Sequence, residues 1–281
     1  MAKRFEGFFK PNRKTELYYQ VWEPDEQSPQ CNLIVAHGFG EHSGYYSHYI
    51  DGMKDLPVRV IALDHQGHGR STGKRGYIPQ FNDYVFDFTD FYKQIVQDFA
   101  QTKKNVIFGH SMGGLIVTKT VLLGRELNYD VLALSSPCFG LSTEVPKIKD
   151  LAARVFAKYL PTLTLAGELE YDDLTKDPVF LARYPKDPLR HDKASPGLYL
   201  GMLEGFEYVR ENIHRLKSPV SFQVSGDDVI VDSLASQELF QKVESEHKQL
   251  KVYNDLKHEI FNEVGRDQVF ADLQVFLKEF L

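Results

Sequence analysis

Three features of this 281-residue sequence predict an α/β fold with a mostly parallel sheet. Short continuous apolar runs are typical of strands buried on both faces of a sheet. They alternate with segments in which apolar residues recur every three or four positions, as on the buried face of a helix. The alternation stops after about residue 137 and resumes near residue 218. Strands that alternate with helices indicate a parallel sheet covered by helices on both faces.

The predicted elements follow in chain order. Arg4–Lys10 and Glu16–Glu23 alternate apolar and polar residues, which predicts a half-exposed antiparallel hairpin. Apolar runs predict six further strands, at Asn32–Ala36, Val58–Leu63, Asn105–Phe108, Asp130–Leu134, Pro219–Val224 and Gln249–Tyr253. Helical spacing predicts helices at Tyr45–Met53, Tyr84–Ala100, Leu115–Leu123, Leu234–Val243 and Val269–Leu281. The expected sheet therefore has eight strands.

The middle of the chain shows helical patterning without a clear strand. One face of a helix that Pro161 ends carries five apolar residues, Leu151, Val155, Phe156, Tyr159 and Leu160. We therefore predict a helical cap at residues 138–217. It is inserted into a core domain formed by residues 1–137 and 218–281.

Composition and charge exclude several classes of protein. With 42% hydrophobic residues and 20 Phe, the chain is not typical of a disordered protein. Its net charge of −6, without a basic stripe, argues against a nucleic-acid partner. No apolar stretch has the length of a signal peptide or a membrane span, so we expect a cytoplasmic protein. Cys31 and Cys138 each adjoin a strand, which predicts buried thiols rather than a disulfide or a metal site.

The strongest chemical signal is Gly109-His110-Ser111-Met112-Gly113, which fits the G-x-S-x-G nucleophile elbow. The motif alone also fits an ordinary turn, but here a predicted strand precedes it and a predicted helix follows it. A sharp strand-to-helix turn strains the nucleophile, and small neighbours relieve the crowding. The context therefore predicts the α/β-hydrolase fold with Ser111 as the nucleophile.

A serine nucleophile needs a general base and an acid that orients it, in the chain order Ser, acid, His. His258 follows the last predicted strand through a short loop and is the expected base. His247 lies in a charged, solvated stretch, and His214 precedes the strand that is expected to carry the acid.

The acid is expected just after Pro219–Val224, where three aspartates compete. We favour Asp228, because two apolar residues follow it after one intervening position. Asp227 is the alternative, one residue away. Asp232 is better explained as the N-cap of the next helix.

Ester hydrolysis also needs an oxyanion hole, normally built from two backbone N–H groups. One is expected at Met112, which directly follows the nucleophile. The other is expected at Phe39 in the turn His37-Gly38-Phe39-Gly40, although this stretch alone would also suit a plain glycine turn. We interpret His65 and His68, in a nearby glycine-containing turn, as structural.

The chain resembles the monoacylglycerol lipases and the bacterial lysophospholipases of the same branch. Three motifs in order carry the resemblance: His37–Gly44, Asp64–Ser71 and Gly109–Gly114. The resemblance continues through Tyr184–Leu189 to Asp228 and His258. It covers nearly the whole chain. It implies a lipid-ester hydrolase with a mobile cap above an apolar acyl tunnel. It also implies that Glu41 shapes the glycerol end of the pocket and that Tyr184 binds substrate. Animal relatives carry Arg where this chain has Tyr45, which places the head-group preference in question.

The resulting hypothesis is a serine esterase that hydrolyses monoacylglycerols through an acyl-enzyme on Ser111, with a small lipid ester as its partner and no cofactor or metal. A lysophospholipase or general carboxylesterase would use the same triad. A serine peptidase of this fold and a non-catalytic ligand-binding protein are competing hypotheses. Dehalogenases and epoxide hydrolases of this fold are excluded, because they need Asp at position 111.

The predicted cap helix could also contact a membrane surface transiently. It combines an apolar face with the basic residues Lys149, Arg154 and Lys158. The alternative is that this face only covers the active site. No feature of the sequence predicts an oligomeric state.

Overall fold

A computed structural model describes every residue except 1, 12–14, 26, 101–102, 144 and 168. Its centre is an eight-stranded sheet with the order β1-β2-β4-β3-β5-β6-β9-β10. The strands of this sheet are β1 (Lys3–Phe9), β2 (Leu17–Glu23), β3 (Cys31–Ala36), β4 (Val58–Leu63), β5 (Lys104–His110), β6 (Val131–Ser135), β9 (Val220–Ser225) and β10 (Lys248–Tyr253). The strands from β4 to β10 in that order are parallel, and β1 and β2 are antiparallel to their neighbours. The predicted eight-stranded, mostly parallel sheet is confirmed.

The described helices lie along and beyond this sheet. They are α1 (Tyr49–Gly52), α2 (Asn82–Phe91), α3 (Gln97–Ala100), α4 (Met112–Leu122), α5 (Lys147–Tyr159), α6 (Pro178–Arg183), α7 (Pro196–Asn212), α8 (Ser233–Lys242) and α9 (Arg266–Leu277). A π-helical segment, Tyr92–Val96, joins α2 to α3. None of the helices in the described part of the chain is both long and apolar enough to cross a membrane.

The core lies on both faces of the sheet because neighbouring strand residues point to opposite sides. On β3, Ile34 belongs to the core cluster that includes residues of α2, α4 and α7, whereas Leu33 belongs to the cluster on the other face, which includes residues of α9 and Tyr49. All six residues of β3 are buried, as expected of a central parallel strand. Burial on both sides explains why the strand is a continuous apolar run.

The order of the strands places the site. The chain runs from β3 to β4 on one side and then crosses to β5 on the other side of β3. At such a switch point the loops after two neighbouring strands diverge and leave a crevice at the carboxyl edge of the sheet. The loop that begins at His37 follows β3, and Ser111 follows β5, so both border this crevice.

Two local expectations were wrong. The N-terminal hairpin forms, but only β1 is exposed, since β2 pairs with both β1 and β4 and is largely buried. The predicted helix at Tyr45–Met53 is a 310 turn, Ser43–Tyr46, followed by the short α1. Three tyrosines of this segment, Tyr45, Tyr46 and Tyr49, are buried in the core. Their spacing of three and four positions resembles that of a helix face, although no long helix forms here.

The middle segment, residues 138–217, contains α5, α6, α7 and short 310 turns, as its pattern indicated. It also contains a pair of two-residue strands, β7 (Leu165–Ala166) and β8 (Lys193–Ala194), which the sequence did not reveal. Helix α7 packs against α4, and α5 packs against α7. The division of the chain into core and cap stays a prediction.

Candidate active site

Ser111 occupies a strained turn between β5 and α4. Its backbone has φ 52° and ψ −121°, a conformation that few residues other than glycine adopt. A Cβ on Gly113 would lie 2.0 Å from the carbonyl oxygen of Ala36, and one on Gly109 would lie 2.7 Å from the Cα of Gly114. The small residues of the motif are therefore required by the close approach of this turn to β3 and to itself.

Three side chains from distant parts of the chain meet at this turn. The Ser111 Oγ lies 2.8 Å from Nε2 of His258, and Nδ1 of His258 lies 2.7 Å from Oδ2 of Asp228. Because an ionised carboxylate only accepts hydrogen bonds, Nδ1 carries the proton and Nε2 presents its lone pair to the hydroxyl. This is the tautomer that a general base needs to take the hydroxyl proton.

The surroundings of Asp228 keep it charged. Its side chain is fully buried, and its Oδ1 accepts the backbone N–H groups of Ile230 and Val231, each at 3.0 Å. Burial raises the pKa of this carboxyl, but the charge and hydrogen bond of His258 and the two backbone donors outweigh burial and lower it. For His258, burial lowers the pKa, and the carboxylate of Asp228 more than compensates, so the net shift is upward.

The other aspartates and histidines considered for the acid and the base do not join this hydrogen-bonded series. Asp227 is half-exposed and pairs with Lys176 at 3.1 Å. Asp232 accepts the N–H of Ala235 and caps α8, as predicted. His247 packs on the ring of Phe280, and His214 is an exposed residue of a 310 turn. Only Asp228 among these aspartates hydrogen-bonds His258.

The two expected oxyanion donors border the same space. Met112 is the first residue of α4, so its N–H belongs to the first turn of the helix, where no intrahelical acceptor exists. The loop of Phe39 approaches from β3, and a Cβ on Gly38 would lie only 3.1 Å from the Cβ of Ser111. Gly40 has φ 74° and leaves no room for a side chain beside His191. The donor roles of Met112 and Phe39 stay predictions.

Three buried histidines pack together near the start of the loop after β3. Nε2 of His37 accepts the N–H of His65 at 2.9 Å, and the rings of His37, His65 and His68 lie 4.3–6.4 Å apart. Burial lowers the pKa of each of them, so they are neutral near pH 7. None of the three hydrogen-bonds the triad within the described part of the chain, which agrees with a structural role for His65 and His68.

A buried polar cluster surrounds Glu259, the neighbour of His258. Its carboxylate accepts from Arg190 at 2.7 Å, from Asn262 at 2.7 Å and from the Tyr184 hydroxyl. Burial raises the pKa of Glu259, but the charge of Arg190 outweighs burial and lowers it. Tyr184, which we expected to bind substrate, is thus fully buried and supports the loop of His258. Its contact with substrate stays a prediction.

Glu41 lies beside this cluster. Its carboxylate accepts the Gly38 N–H and the Tyr46 hydroxyl, the latter at 2.8 Å. Burial and then the charge of Glu259 raise the pKa of Glu41. Its role at the glycerol end of the pocket also stays a prediction.

Sequence reasoning missed Arg190, Glu259 and Asp187. Asp187 accepts from the Tyr45 hydroxyl at 2.9 Å and lies 3.0 Å from Nε2 of His42, which attaches residues 184–190 to the loop after β3. Glu259 could have been suspected because it adjoins His258. Asp187 lies within the Tyr184–Leu189 motif but had no role assigned to it, and Arg190 follows that motif without a signal of its own.

Comparisons with known proteins agree with this fold and place the chain in a family. A family model described as serine aminopeptidase, S33 matches residues 27–265. The chain is 31% identical to a monoacylglycerol lipase of Mycolicibacterium smegmatis, covering 92% of this chain and 91% of that protein. It is also 31% identical to phospholipase YtpA of Bacillus subtilis, covering 93% and 99%. The crystal structure of a Paleococcus ferrophilus monoacylglycerol lipase superposes with a TM-score of 0.81, at 27% identity, over 94% of this chain and 99% of that one.

Proposed function

This chain belongs to the serine aminopeptidase S33 family of α/β-hydrolases, and from that premise we propose that it hydrolyses monoacylglycerols to free fatty acid and glycerol. The observation that carries the proposal is the hydrogen-bonded series Asp228–His258–Ser111, with links of 2.7 and 2.8 Å. Its members follow β9, β10 and β5 and meet at the carboxyl edge of the sheet. Similarity to a monoacylglycerol lipase over 92% of the chain supports a lipid ester as the substrate.

The first half of the reaction forms an acyl-enzyme. Nε2 of His258 takes the proton of the Ser111 hydroxyl as Oγ attacks the ester carbonyl. The carboxylate of Asp228 stabilises the imidazolium that results. The N–H groups of Phe39 and Met112 hold the oxyanion, and the glycerol oxygen leaves with the proton from His258.

The second half regenerates the serine. Water gives a proton to Nε2 of His258 and attacks the acyl carbonyl carbon. The bond to Oγ breaks, Ser111 regains its proton, and the fatty acid leaves. Apart from this water, both halves of the reaction use side chains and backbone groups of this chain.

A lysophospholipase activity is the second candidate. It is favoured by the similarity to phospholipase YtpA over 93% of the chain and would use the same three residues. An aminopeptidase would need carboxylates free to bind the α-ammonium group of a peptide. The buried carboxylates nearest the triad are already engaged, Glu259 by Arg190 and Glu41 by the Gly38 N–H and Tyr46.

A substrate panel tests the proposal. We expect the purified protein to hydrolyse monoacylglycerols with a higher kcat/KM than short p-nitrophenyl esters or aminoacyl amides. Ser111→Ala is expected to lower turnover on every ester by several orders of magnitude. Preference for aminoacyl amides, or an active Ser111→Ala variant, would contradict the proposal.

A further inference from the structure

The expected base and one of the expected oxyanion donors lie on loops that do not follow neighbouring strands. His258 follows β10 and Phe39 follows β3, and β5, β6 and β9 lie between these two strands. The transition state needs the imidazole and the oxyanion donors at fixed mutual positions, and a misplacement of about 1 Å can lower the rate about 100-fold. Contacts beyond the sheet therefore help to decide how precisely the two loops face each other.

Residues 187–191, which we call the bridging segment, are attached to the loop after β3 at both ends. At the first end, the Asp187 carboxylate lies 3.0 Å from Nε2 of His42. At the other end, the His191 N–H donates to the carbonyl of Gly40 at 2.9 Å. The two backbones pass so closely here that a Cβ on Gly40 would lie 2.1 Å from the carbonyl oxygen of His191. Gly40 directly follows the expected oxyanion donor, so the segment restrains the oxyanion loop.

Between these two attachments, Arg190 reaches the loop of the expected base. Its Nη2 donates to Oε1 of Glu259 at 2.7 Å, and the two side chains are only 3% and 4% exposed. Because Glu259 directly follows His258 in the chain, a contact that holds its side chain also restrains the backbone of His258. The bridging segment thus connects the oxyanion loop with the loop of the base.

Aromatic rings fix the orientation of the Arg190 guanidinium. It lies 3.9 Å from the ring centroid of Tyr184, 5.0 Å from that of Tyr45 and 5.9 Å from that of Tyr171. The hydroxyl of Tyr184 donates to the same Glu259 carboxylate. A planar guanidinium that stacks on rings is restrained in direction as well as in position. Arg190 therefore holds Glu259 in one orientation, which a compact ammonium group could do only in part.

Stability alone does not explain a buried pair of this kind. Replacing both partners of a buried ion pair by apolar residues of similar volume is often neutral, because the pair must first lose its hydration. A directional link to the residue beside the base is what an apolar pair could not supply. The loops after β3 and β10 also meet where Nε2 of His48 lies 3.1 Å from the carbonyl of Phe261, but Phe261 lies three residues beyond His258.

We propose that Arg190 is a positioning residue for hydrolysis, which acts through Glu259 to hold the imidazole of His258 at a fixed position relative to the oxyanion donors. The inference rests on the proposed acyl-enzyme mechanism and adds to it a residue outside the triad. Within the described part of the chain, Arg190 makes no hydrogen bond to Ser111 or His258. Its removal should therefore slow the chemical step and leave substrate binding nearly unchanged.

The test measures kcat per active site on a water-soluble ester, with active sites counted by titration with a fluorophosphonate. Arg190→Met removes the directed contact but keeps much of the side-chain volume. We expect kcat to fall by about 10–100-fold while KM stays nearly unchanged. Arg190→Lys keeps the charge and should recover part of the loss. Arg183→Met is the matched control, because Arg183 also stacks on the ring of Tyr45, at 4.3 Å, but does not donate to Glu259 in the described structure. It should leave kcat unchanged.

A double variant separates positioning from folding. Arg190→Met leaves Glu259 as a buried charge without its cation and should lower the urea midpoint, whereas Arg190→Met/Glu259→Gln removes both charges and should raise the midpoint again. Because the pair is neutral as a whole, the double variant also keeps the net charge beside His258. The positioning role predicts that kcat per active site stays low in the double variant. If Arg190→Met yields no folded protein, the double variant alone decides.

The outcomes also distinguish this inference from the proposed function. A kcat per active site near that of wild type in the double variant would overturn the positioning role and leave the hydrolase proposal intact. If wild type hydrolyses no ester but Ser111 still reacts with the fluorophosphonate, the hydrolase proposal fails, and the rate of labelling replaces kcat in the comparison. Equal labelling rates in wild type and the double variant then contradict the positioning role. If Ser111 of wild type does not react at all, both proposals fail.

Discussion

The imidazole of His258 is subject to two opposing effects. Its burial removes water that would stabilise the charged form, while the carboxylate of Asp228 at 2.7 Å stabilises it. The carboxylates of Glu259 and Glu41 add to the second effect, and the pKa of His258 is raised. A base with a raised pKa accepts the serine proton more readily, but it is also protonated at higher pH.

The pH profile follows from this shift. His258 must be neutral to act as a base, so kcat/KM falls as the pH drops through its pKa in the free enzyme. Since that pKa is raised from 6.5, we expect the midpoint of the acidic limb above pH 6.5. The measurement is kcat/KM against pH with a non-ionising ester. A midpoint clearly below 6.5 would show that Asp228 does not control this imidazole.

Adjacent aspartates test the assignment of the acid. Asp228→Asn removes the charge that stabilises the imidazolium and is expected to lower kcat by about 10³–10⁴-fold. Asp227→Asn is the matched control, because Asp227 pairs with Lys176 on the surface, and it should change kcat by less than about twofold. Steady-state kinetics of both variants on one ester decide the point. The reverse order of effects would assign the acid to Asp227.

At the level of elements, helix α4 approaches β3 very closely. Gly113→Ala would place a methyl group 2.0 Å from the Ala36 carbonyl oxygen and force the helix away from the sheet. We expect the free energy of unfolding to fall by about 1–3 kcal/mol. Gly197→Ala, near the start of α7, is the control, because its Cβ meets nothing within 4 Å. That change should be neutral or stabilise by up to about 1 kcal/mol. Urea denaturation measures both, and equal effects would contradict the packing argument.

Helix α5 presents an apolar face that the described protein does not cover. None of its residues is buried, and Ile148, Leu151 and Tyr159 are 77%, 62% and 68% exposed. The face is therefore not a simple cover over the active site. An exposed apolar helix face with basic residues beside it is typical of contact with a lipid surface. We propose that a lipid surface covers this face of α5.

Vesicle binding tests this proposal. Ile148→Asp/Leu151→Asp should lower the fraction of protein that sediments with phosphatidylglycerol-containing vesicles, while hydrolysis of a water-soluble ester persists. Val275→Asp on α9 is the matched control, since Val275 is also 62% exposed but lies on another element. Vesicle binding that is weak in wild type, or equally reduced in all variants, would argue against a lipid-facing role for α5.

At the scale of the whole molecule, the sheet brings Ser111 and His258, which lie 147 positions apart, into hydrogen-bond contact. Ser111, Asp228 and His258 follow three different parallel strands, so their loops emerge at one edge. The loop of Phe39 reaches the same edge because β3 lies next to β5. The order of the strands thus brings together residues that are far apart in the sequence, which no local motif could achieve.

The central strands, such as β3, were predictable from sequence because their runs are apolar on both faces, whereas the N-terminal hairpin was predictable from its alternation of apolar and polar residues. The contact between Ser111 and His258 was expected because chain order and flanking elements favour one position for each, and their catalytic roles stay predictions. The ion pair of Arg190 with Glu259 was not predictable, since a buried pair between distant residues leaves no periodic signal, although Glu259 adjoins His258. The exposure of α5 was also not predictable, because an amphipathic pattern shows that a helix has an apolar face but not whether the protein covers that face.

The most direct measurement of the serine nucleophile is labelling with a fluorophosphonate, followed by mass spectrometry of the intact protein and its peptides. We expect one adduct per chain, on the peptide that contains Ser111. The adduct should be absent in Ser111→Ala and should form much more slowly in His258→Ala. An adduct on another residue, or unchanged labelling after either substitution, would contradict the assignment of Ser111 and His258.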